Sequence, residues 1–478
     1  MMTKASRTFE LILRKCGFKL KRFYKVVLGA AVILLLLGSI QINETVQRND
    51  VQGLILNRRT IRTHNGESRY WPTYLNTTEK SHKSANSNKK VFGKITTYPT
   101  EGYKRAELLR EKCSSIVRNL HARVRVSYNK AHNILYCPLC KIASTFWTRA
   151  FKTFEYEKRA LSKKHPYEIK ISDAPRSDLY FDTSSEYIKR SHGSRSKINA
   201  KGSFKFLFVR NPFSILFSAF VDKIVGPNPI FWNAFKTKPE YNDEINTLCG
   251  ADLKFGQFLK NIVQTVQLNN TLDCHVKTFD ACEPCVMNYT FVGKMETFKE
   301  DTFHILSKCN QNETLAIFEK QFSSLHADDA IDDSITSPFS WKDKIRKCIP
   351  WAEALQRIWR KLQIRGAIGM QAFPLSDREA KRINETQFIE LVKKTRLRTT
   401  SKERQWQKEY AFMEAYQSVP SNVINDIRKI YSRDFKLFDY DDIPNNLFKT
   451  DASILDFKFL DYSNVKENHY PNIKKSLL

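Results

Sequence analysis

Residues 204–223 read FKFLFVRNPFSILFSAFVDK, and the change of pattern inside them decides the fold. Phe204 to Val209 is a short, nearly unbroken apolar run, as expected of a strand covered on both faces. Asn211 is a good N-cap, Pro212 suits the first helical position, and Phe213 to Lys223 continues as helix. A buried strand passing directly into a helix predicts an α/β fold with a central, mostly parallel sheet flanked by helices. Arg210 then emerges at the C-terminal end of the strand, where open α/β sheets bind ligands. Its planar fork suits a phosphate, and Ser218 on the helix can donate to the same group. As a structural alternative, Arg210 is an ion-pair residue and Ser218 a solvated helix position.

A second unit of the same kind lies upstream, HNILYCPLCKIASTFWTRAF at residues 132–151. Ile134 to Cys137 is a short apolar strand, Pro138 breaks it, and Ser144 or Thr145 can cap a helix running through Trp147 and Phe151. Lys141 therefore sits in a loop aimed at a helix N-terminus. Backbone N–H groups, the helix dipole, an ammonium and two hydroxyls together make an anion cradle. The glycines of GxxxxGK[ST] are missing, so this is not a nucleoside-triphosphatase loop. Two anion sites on strand ends suggest a ligand with two phosphate groups. The candidate stretches are Cys140, Lys141, Ile142, Ala143, Ser144, Thr145 and Phe146, and then Arg210, Asn211, Pro212, Phe213, Ser214, Ile215, Leu216, Phe217 and Ser218.

The whole chain agrees with a polyanionic ligand. It has 478 residues, 79 Lys and Arg against 50 Asp and Glu, and a net charge of +29, which points to nucleic acid, a membrane surface or an acidic glycan. With 41% hydrophobic residues it is not a disordered chain, and its 15 glycines exclude collagen-like repeats. The N-terminus chooses among the partners. Val26 to Ile40 is an uncharged apolar run, extended by Phe23, Tyr24 and Ile42, against the roughly 17–25 residues that span a bilayer. Eight basic side chains precede it, with Glu10 as the acidic residue. Positive charge stays cytoplasmic, so the remainder is expected in the lumen. No small-x-small cleavage site follows Ile42, which favours an uncleaved anchor over a signal peptide.

A lumenal chain removes nucleic acid as a partner. Six Asn-x-Ser/Thr sequons, at Asn43, Asn76, Asn269, Asn288, Asn312 and Asn384, suit a secretory protein, with Asn43 too near the membrane to be modified. Of ten cysteines, Cys16 falls on the cytoplasmic side. The two Cys-x-x-Cys pairs, Cys137/Cys140 and Cys282/Cys285, lie too far apart for a zinc ribbon, and disulfides are expected. An odd number of lumenal thiols leaves at least one free or paired between chains, which is compatible with a homo-oligomer. The expected organisation is a cytoplasmic tail (1–25), an anchor (26–42), a polar stem (43–105), one catalytic domain (106–450) and a C-terminal tail (451–478).

The pair CKIASTFWTR and LFVRNPFSILFSAFVDK resembles the 5′-phosphosulfate and 3′-phosphate binding motifs of Golgi carbohydrate sulfotransferases. The similar branch contains the chondroitin and dermatan 4-O-sulfotransferases and the sulfotransferase of the natural-killer carbohydrate epitope. CHVKTFDACEPCVMNYTFVGKMET and IRKIYSRDFKLFDY are similar to further segments of that branch, so the resemblance runs in order from about Cys113 to Tyr440. Cys140 stands where relatives usually have Pro, and Asn211 where an acidic residue or His is common. The resemblance implies a P-loop-like sulfotransferase fold and the co-substrate 3′-phosphoadenosine 5′-phosphosulfate, with no metal. It implies a glycan acceptor, acidic or neutral, with chondroitin or dermatan favoured, and a Golgi membrane location. Lys141 would stabilise the bridging oxygen, Ser144 and Thr145 hold the 5′-phosphate, and Arg210 and Ser218 the 3′-phosphate. His275 is the candidate general base, ahead of His192 and His165. A Golgi glycosyltransferase would need an Asp-x-Asp metal site, and Asp439-Tyr440-Asp441 has that spacing. A non-enzymatic binder of acidic glycans would fit the charge but leave Lys141 and Arg210 unexplained.

Overall fold

The chain divides into Met1–Phe92 and Gly93–Leu478. The computed structural model describes residues 101–116, 122–157, 165–170, 173, 178–190, 197–236, 249–444, 447 and 458–466. The expected cytoplasmic tail, anchor and most of the stem, with Cys16, Asn43, Asn76 and His192, lie outside the described residues. Among the described residues no helix is long and apolar enough to cross a membrane.

Seven strands form one sheet: β1 (Arg123–Asn129), β2 (Ile134–Tyr136), β3 (Leu179–Asp182), β4 (Tyr187–Arg190), β5 (Ile198–Asn199), β6 (Phe204–Val209) and β7 (Phe291–Lys294). Their order is β5-β4-β3-β1-β2-β6-β7. β2, β6 and β7 are parallel, with Tyr136 opposite Phe206 and Val209 opposite Lys294. The other four pairings are antiparallel. The expectation of a mostly parallel sheet is therefore corrected to a mixed one. The cause is local: β1 and β2 are joined by a tight turn in which Asn133 takes φ 48°, and strands joined so closely can only run antiparallel. β3, β4 and β5 likewise follow one another as a meander.

β6 is buried at every residue, as suits an apolar strand paired on both sides, by β2 and β7, and covered by helices. The helix Ser144–Glu157 covers it through Trp147, which is fully buried and packs 4.8 Å from the Phe206 ring and 5.6 Å from Phe208. Removing that indole would cost about 3–5 kcal/mol. Two hydrophobic clusters result. One joins the sheet to the Ser144–Glu157 and Phe298–Lys308 helices. The other gathers helices including Phe255–Gln267, Trp351–Ile364 and Ser401–Gln417. The Pro212–Phe220 helix lies between them, with Ile215 in the sheet cluster and Phe213, Leu216 and Phe217 in the helical one.

At both ends the fold reaches beyond the expected boundaries. The helix Glu101–Lys112 starts ahead of Ala106 and lays Gly102 on Phe291, where an added Cβ would come 2.1 Å from the ring. Within the C-terminal tail, Phe459 and Val465 are buried in the helical cluster, and Phe373 N donates to Val465 O at 2.9 Å.

Candidate functional site

Because β2, β6 and β7 run parallel, their C-terminal ends open on one edge of the sheet, and three loops meet there. The first follows β2. Lys141 and Ala143 both take left-handed backbone conformations, φ 66° and 53°, which cost non-glycine residues about 1–3 kcal/mol each. Disulfides Cys137–Cys282 and Cys140–Cys274 hold the loop from either side. The helix opens at Ser144 itself, and Trp147 N donates to Ala143 O at 3.0 Å. Ser144 and Thr145 thus lie in its first turn, and the capping position falls to left-handed Ala143 rather than to a hydroxyl.

The second loop follows β6. Asn211 caps the next helix as expected, its side chain accepting from Phe213 N and Ser214 N. On this helix Asn211, Ser214 and Ser218 are half-exposed while Pro212, Phe213, Ile215, Leu216 and Phe217 are buried. The open positions recur every three to four residues, so they form one stripe. The stripe continues into the π-helical turn Val221–Val225 and ends at Asp222.

Asp222 is the hub of the site. Its carboxylate accepts from Lys141 at 2.9 Å, Lys361 at 2.7 Å and Lys223 at 3.1 Å. Burial pushes the Asp222 carboxyl up, but the three ammonium groups outweigh it and hold the pKa well below the usual range. Burial is also the main influence on Lys141, lowering it to about 8 despite the attraction of Asp222, with Arg365 and Lys223 adding repulsion.

Arg210 reaches back to the first loop, Nη1 donating to Lys141 O at 3.3 Å. The third loop, after β7, supplies Glu296. Its carboxylate accepts from Asn211 N at 3.4 Å and from the Tyr440 hydroxyl at 2.9 Å, which brings the two downstream motifs to the same edge. Arg365, at the C-cap of Trp351–Ile364, donates to Ser334 Oγ at 2.8 Å. Its charge disfavours the protonated forms of Lys141, Arg210, Lys408 and His326, each of them lowered first by burial, His326 to about 4. Cations from the sheet edge and from helices packed on it therefore repel one another here, and an anionic ligand would relieve that repulsion.

His275 is tied to the first loop through its neighbour Cys274. Asp273 Oδ1 accepts from His275 N at 3.0 Å and lies 2.5 Å from its Nδ1, while Phe231 packs edge-on at 5.3 Å. The preceding Cys274 is bonded to Cys140, next to Lys141. Elsewhere, His165 is buried beside Tyr167 and Phe318, 3.5 Å from Glu168. Asp439 closes a helix with φ 58° and pairs with Lys112 at 3.2 Å, while Asp441 accepts from Ile443 N at 2.8 Å. The Asp439 carboxylate is thus paired with a lysine and that of Asp441 is used in a turn.

Several side chains in the two candidate stretches cannot face a ligand. Ile142, Phe146, Pro212, Phe213, Ile215, Leu216 and Phe217 are buried, so they could contribute only backbone groups. Both Cys-x-x-Cys motifs are split between bridges, with Cys113–Cys285 and Cys249–Cys348 completing the four. Cys309 is buried and belongs to none of them. Asn269, Asn288, Asn312 and Asn384 are all exposed. Sequence reading missed Asp222, Lys361, Arg365 and Lys408. Asp222 carried a signal, standing four residues past Ser218 on the same stripe, whereas the other three are ordinary basic residues on or at the end of helices far along the chain.

Residues 124–361 match the family model described as "Sulfotransferase family". The chain is 31% identical over 239 residues to carbohydrate sulfotransferase 12 of Xenopus laevis, covering 45% of this chain and 56% of the relative. It is 28% identical over 246 residues to carbohydrate sulfotransferase 10 of Gallus gallus, covering 46% and 64%. To carbohydrate sulfotransferase 11 of Rattus norvegicus it is 30% identical over 183 residues, covering 37% and 50%. The matched part thus spans between half and two thirds of the length of these curated relatives. No solved structure matches.

Proposed function

Because residues 124–361 form a domain of the sulfotransferase family, we propose that this chain is a carbohydrate O-sulfotransferase. It moves a sulfuryl group from 3′-phosphoadenosine 5′-phosphosulfate to a sugar hydroxyl. The observation that carries this reading is the pairing of Lys141 and Arg210 at the ends of adjacent parallel strands, 3.3 Å from guanidinium to carbonyl, among further cations that repel them. Such a cluster of positive charge suits a donor with phosphate at two positions.

The roles follow from charge and place. As the S–O bond to the 5′-phosphate breaks, negative charge develops on the bridging oxygen, and Lys141 is the ammonium that meets it. Asp222 takes one of its three donors and keeps it oriented. Ser144, Thr145 and first-turn N–H groups hold the 5′-phosphate. Arg210 and Ser218 hold the 3′-phosphate, and Arg365 and Lys408 add to the same field, so remote binding energy aligns the donor. The acceptor hydroxyl gives its proton to His275 as its oxygen takes the sulfuryl group, leaving adenosine 3′,5′-bisphosphate. This scheme uses lysine and arginine in place of a metal.

The acceptor is a glycan, acidic or neutral, with chondroitin or dermatan favoured by the branch resembled and by the net charge of +29. We place the chain in the Golgi membrane with its C-terminal bulk in the lumen, glycosylated at Asn76, Asn269, Asn288, Asn312 and Asn384. The test is ligand stabilisation of the full chain. Adenosine 3′,5′-bisphosphate at 100 times its Kd should add about 2.7 kcal/mol of stability, while a uridine nucleotide-sugar with manganese should add none. The reverse result would replace the reading with a glycosyltransferase.

A further inference from the structure

The Cys140–Cys274 bridge adjoins Lys141 and shares the holding of the first loop with a second bridge. Its sequence separation is 134 residues, but Cys137–Cys282, close beside it, already joins the same two segments. With that bridge in place, Cys140–Cys274 closes only the small ring running through residues 137–140 and 274–282. The constraint it adds to the unfolded chain is correspondingly slight, because loop-closure entropy depends on the length newly closed. Its effect must therefore be sought in local geometry.

That geometry connects the two chemical groups of the site by two separate routes. Along the chain, Lys141 follows Cys140, and His275 follows Cys274, whose sulfur lies 3.7 Å from His275 Nδ1. Through space, Lys141 shares Asp222 with Lys223. The Lys223 ammonium sits 5.1 Å from the Phe231 ring centre, and that ring packs on His275. Asp273 accepts from the His275 backbone and lies beside Nδ1. A carboxylate there places the ring proton on Nδ1 and turns Nε2 outward as the acceptor.

We propose that the Cys140–Cys274 disulfide, with Asp273, is a positioning device that holds the His275 base at a fixed spacing from Lys141. The idea rests on the sulfotransferase reading and adds to it how base and charge-stabilising lysine are kept in register.

The test uses the full chain and a double-mutant cycle. Cys140→Ala/Cys274→Ala and, separately, Asp273→Asn are made in the wild type and in His275→Ala. Turnover at saturating donor and calorimetric affinity for adenosine 3′,5′-bisphosphate are measured for each. Losing a well-placed base costs about 10²–10⁴ in rate, and losing its support should cost about tenfold or more. Bisphosphate affinity should stay within about threefold. In the His275→Ala background either change should cost less than about twofold further, since effects passing through one residue are not additive.

Multiplicative losses, or a parallel loss of bisphosphate affinity, would overturn the proposal, as would full turnover in His275→Ala. Failure of the double cysteine variant to fold would assign the bridge to structure. Asp273→Asn, which keeps all four bridges, still reports on the positioning of His275. A wild-type chain that neither binds the bisphosphate nor transfers label would instead remove the sulfotransferase reading itself, and the proposal with it.

Discussion

Raising the pH above 8 should shut down the proposed sulfuryl transfer through Lys141, and the size of the effect follows from its surroundings. An ordinary lysine titrates near 10.5, whereas burial and the nearby Arg365 and Lys223 bring Lys141 to about 8. At about 1.4 kcal/mol per unit, the site favours the neutral amine by about 3 kcal/mol. The side chain is only 17% exposed, so solvent screens little of this. At pH 7 the ammonium outnumbers the amine by about ten to one, and at pH 9 the ratio is inverted. Only the ammonium can stabilise the leaving oxygen, so kcat/KM for the donor should fall about tenfold per unit above pH 8. The bound polyanion favours the ammonium, so the same limb in kcat should lie at higher pH. Titration of Lys141 does not itself unfold the chain over this range. A lysine depressed in the folded state binds more protons when unfolded between about 8 and 10.5, so its contribution to stability rises with pH across that window. The assay is a pH series of initial rates with a thermal melt at each pH. Lys141→Arg stays charged and should lose the limb, at a lower plateau because a fork replaces a point charge. A flat kcat/KM from pH 7 to 10, or an unchanged limb in Lys141→Arg, would refute the reasoning.

Three further outcomes are expected. Arg210→Ala should weaken calorimetric binding of adenosine 3′,5′-bisphosphate by about 1.5–3 kcal/mol, the worth of a hydrogen bond to a charged group, and unchanged affinity in a folded variant would make Arg210 structural. Asp222→Asn leaves Lys141, Lys223 and Lys361 without their shared carboxylate, so denaturant melts should show a loss of about 3–5 kcal/mol; a loss below about 1 kcal/mol would deny Asp222 its place as hub. Glycosidase treatment of the expressed chain should increase its mobility through glycans on exposed sites such as Asn312 and Asn384, and unchanged mobility would count against a lumenal domain.

The parts of this fold that were legible in the sequence are those encoded locally. β6 shows as an apolar run because both its faces are covered, and Asn211 with Pro212 marks the helix start through short-range capping alone. The antiparallel half of the sheet was not legible. β3, β4 and β5 are short, and most of their residues are only half-buried, so they carry neither a long apolar run nor a clear alternation. The site divides in the same way. Lys141 and Arg210 sit beside strand ends and could be read from that position. Lys361, Arg365 and Lys408 acquire their meaning only when helices far apart in the chain are packed against the sheet edge. Disulfide partners are equally non-local: neither Cys-x-x-Cys spacing indicates that Cys140 would meet Cys274, the neighbour of the candidate base.

Transfer of radiolabelled sulfur is the most direct test of the proposed activity. The full chain, purified in mild detergent, is incubated with labelled 3′-phosphoadenosine 5′-phosphosulfate and a panel of chondroitin, dermatan and glucuronyl-terminated glycans. Label should pass to at least one glycan, and Lys141→Ala should reduce that transfer by about 10²–10³, the cost of removing one preorganised charge-stabilising donor. Label that stays with the donor for every glycan, or passes equally well with Lys141→Ala, would contradict the assignment of this sheet edge as a sulfuryl-transfer site.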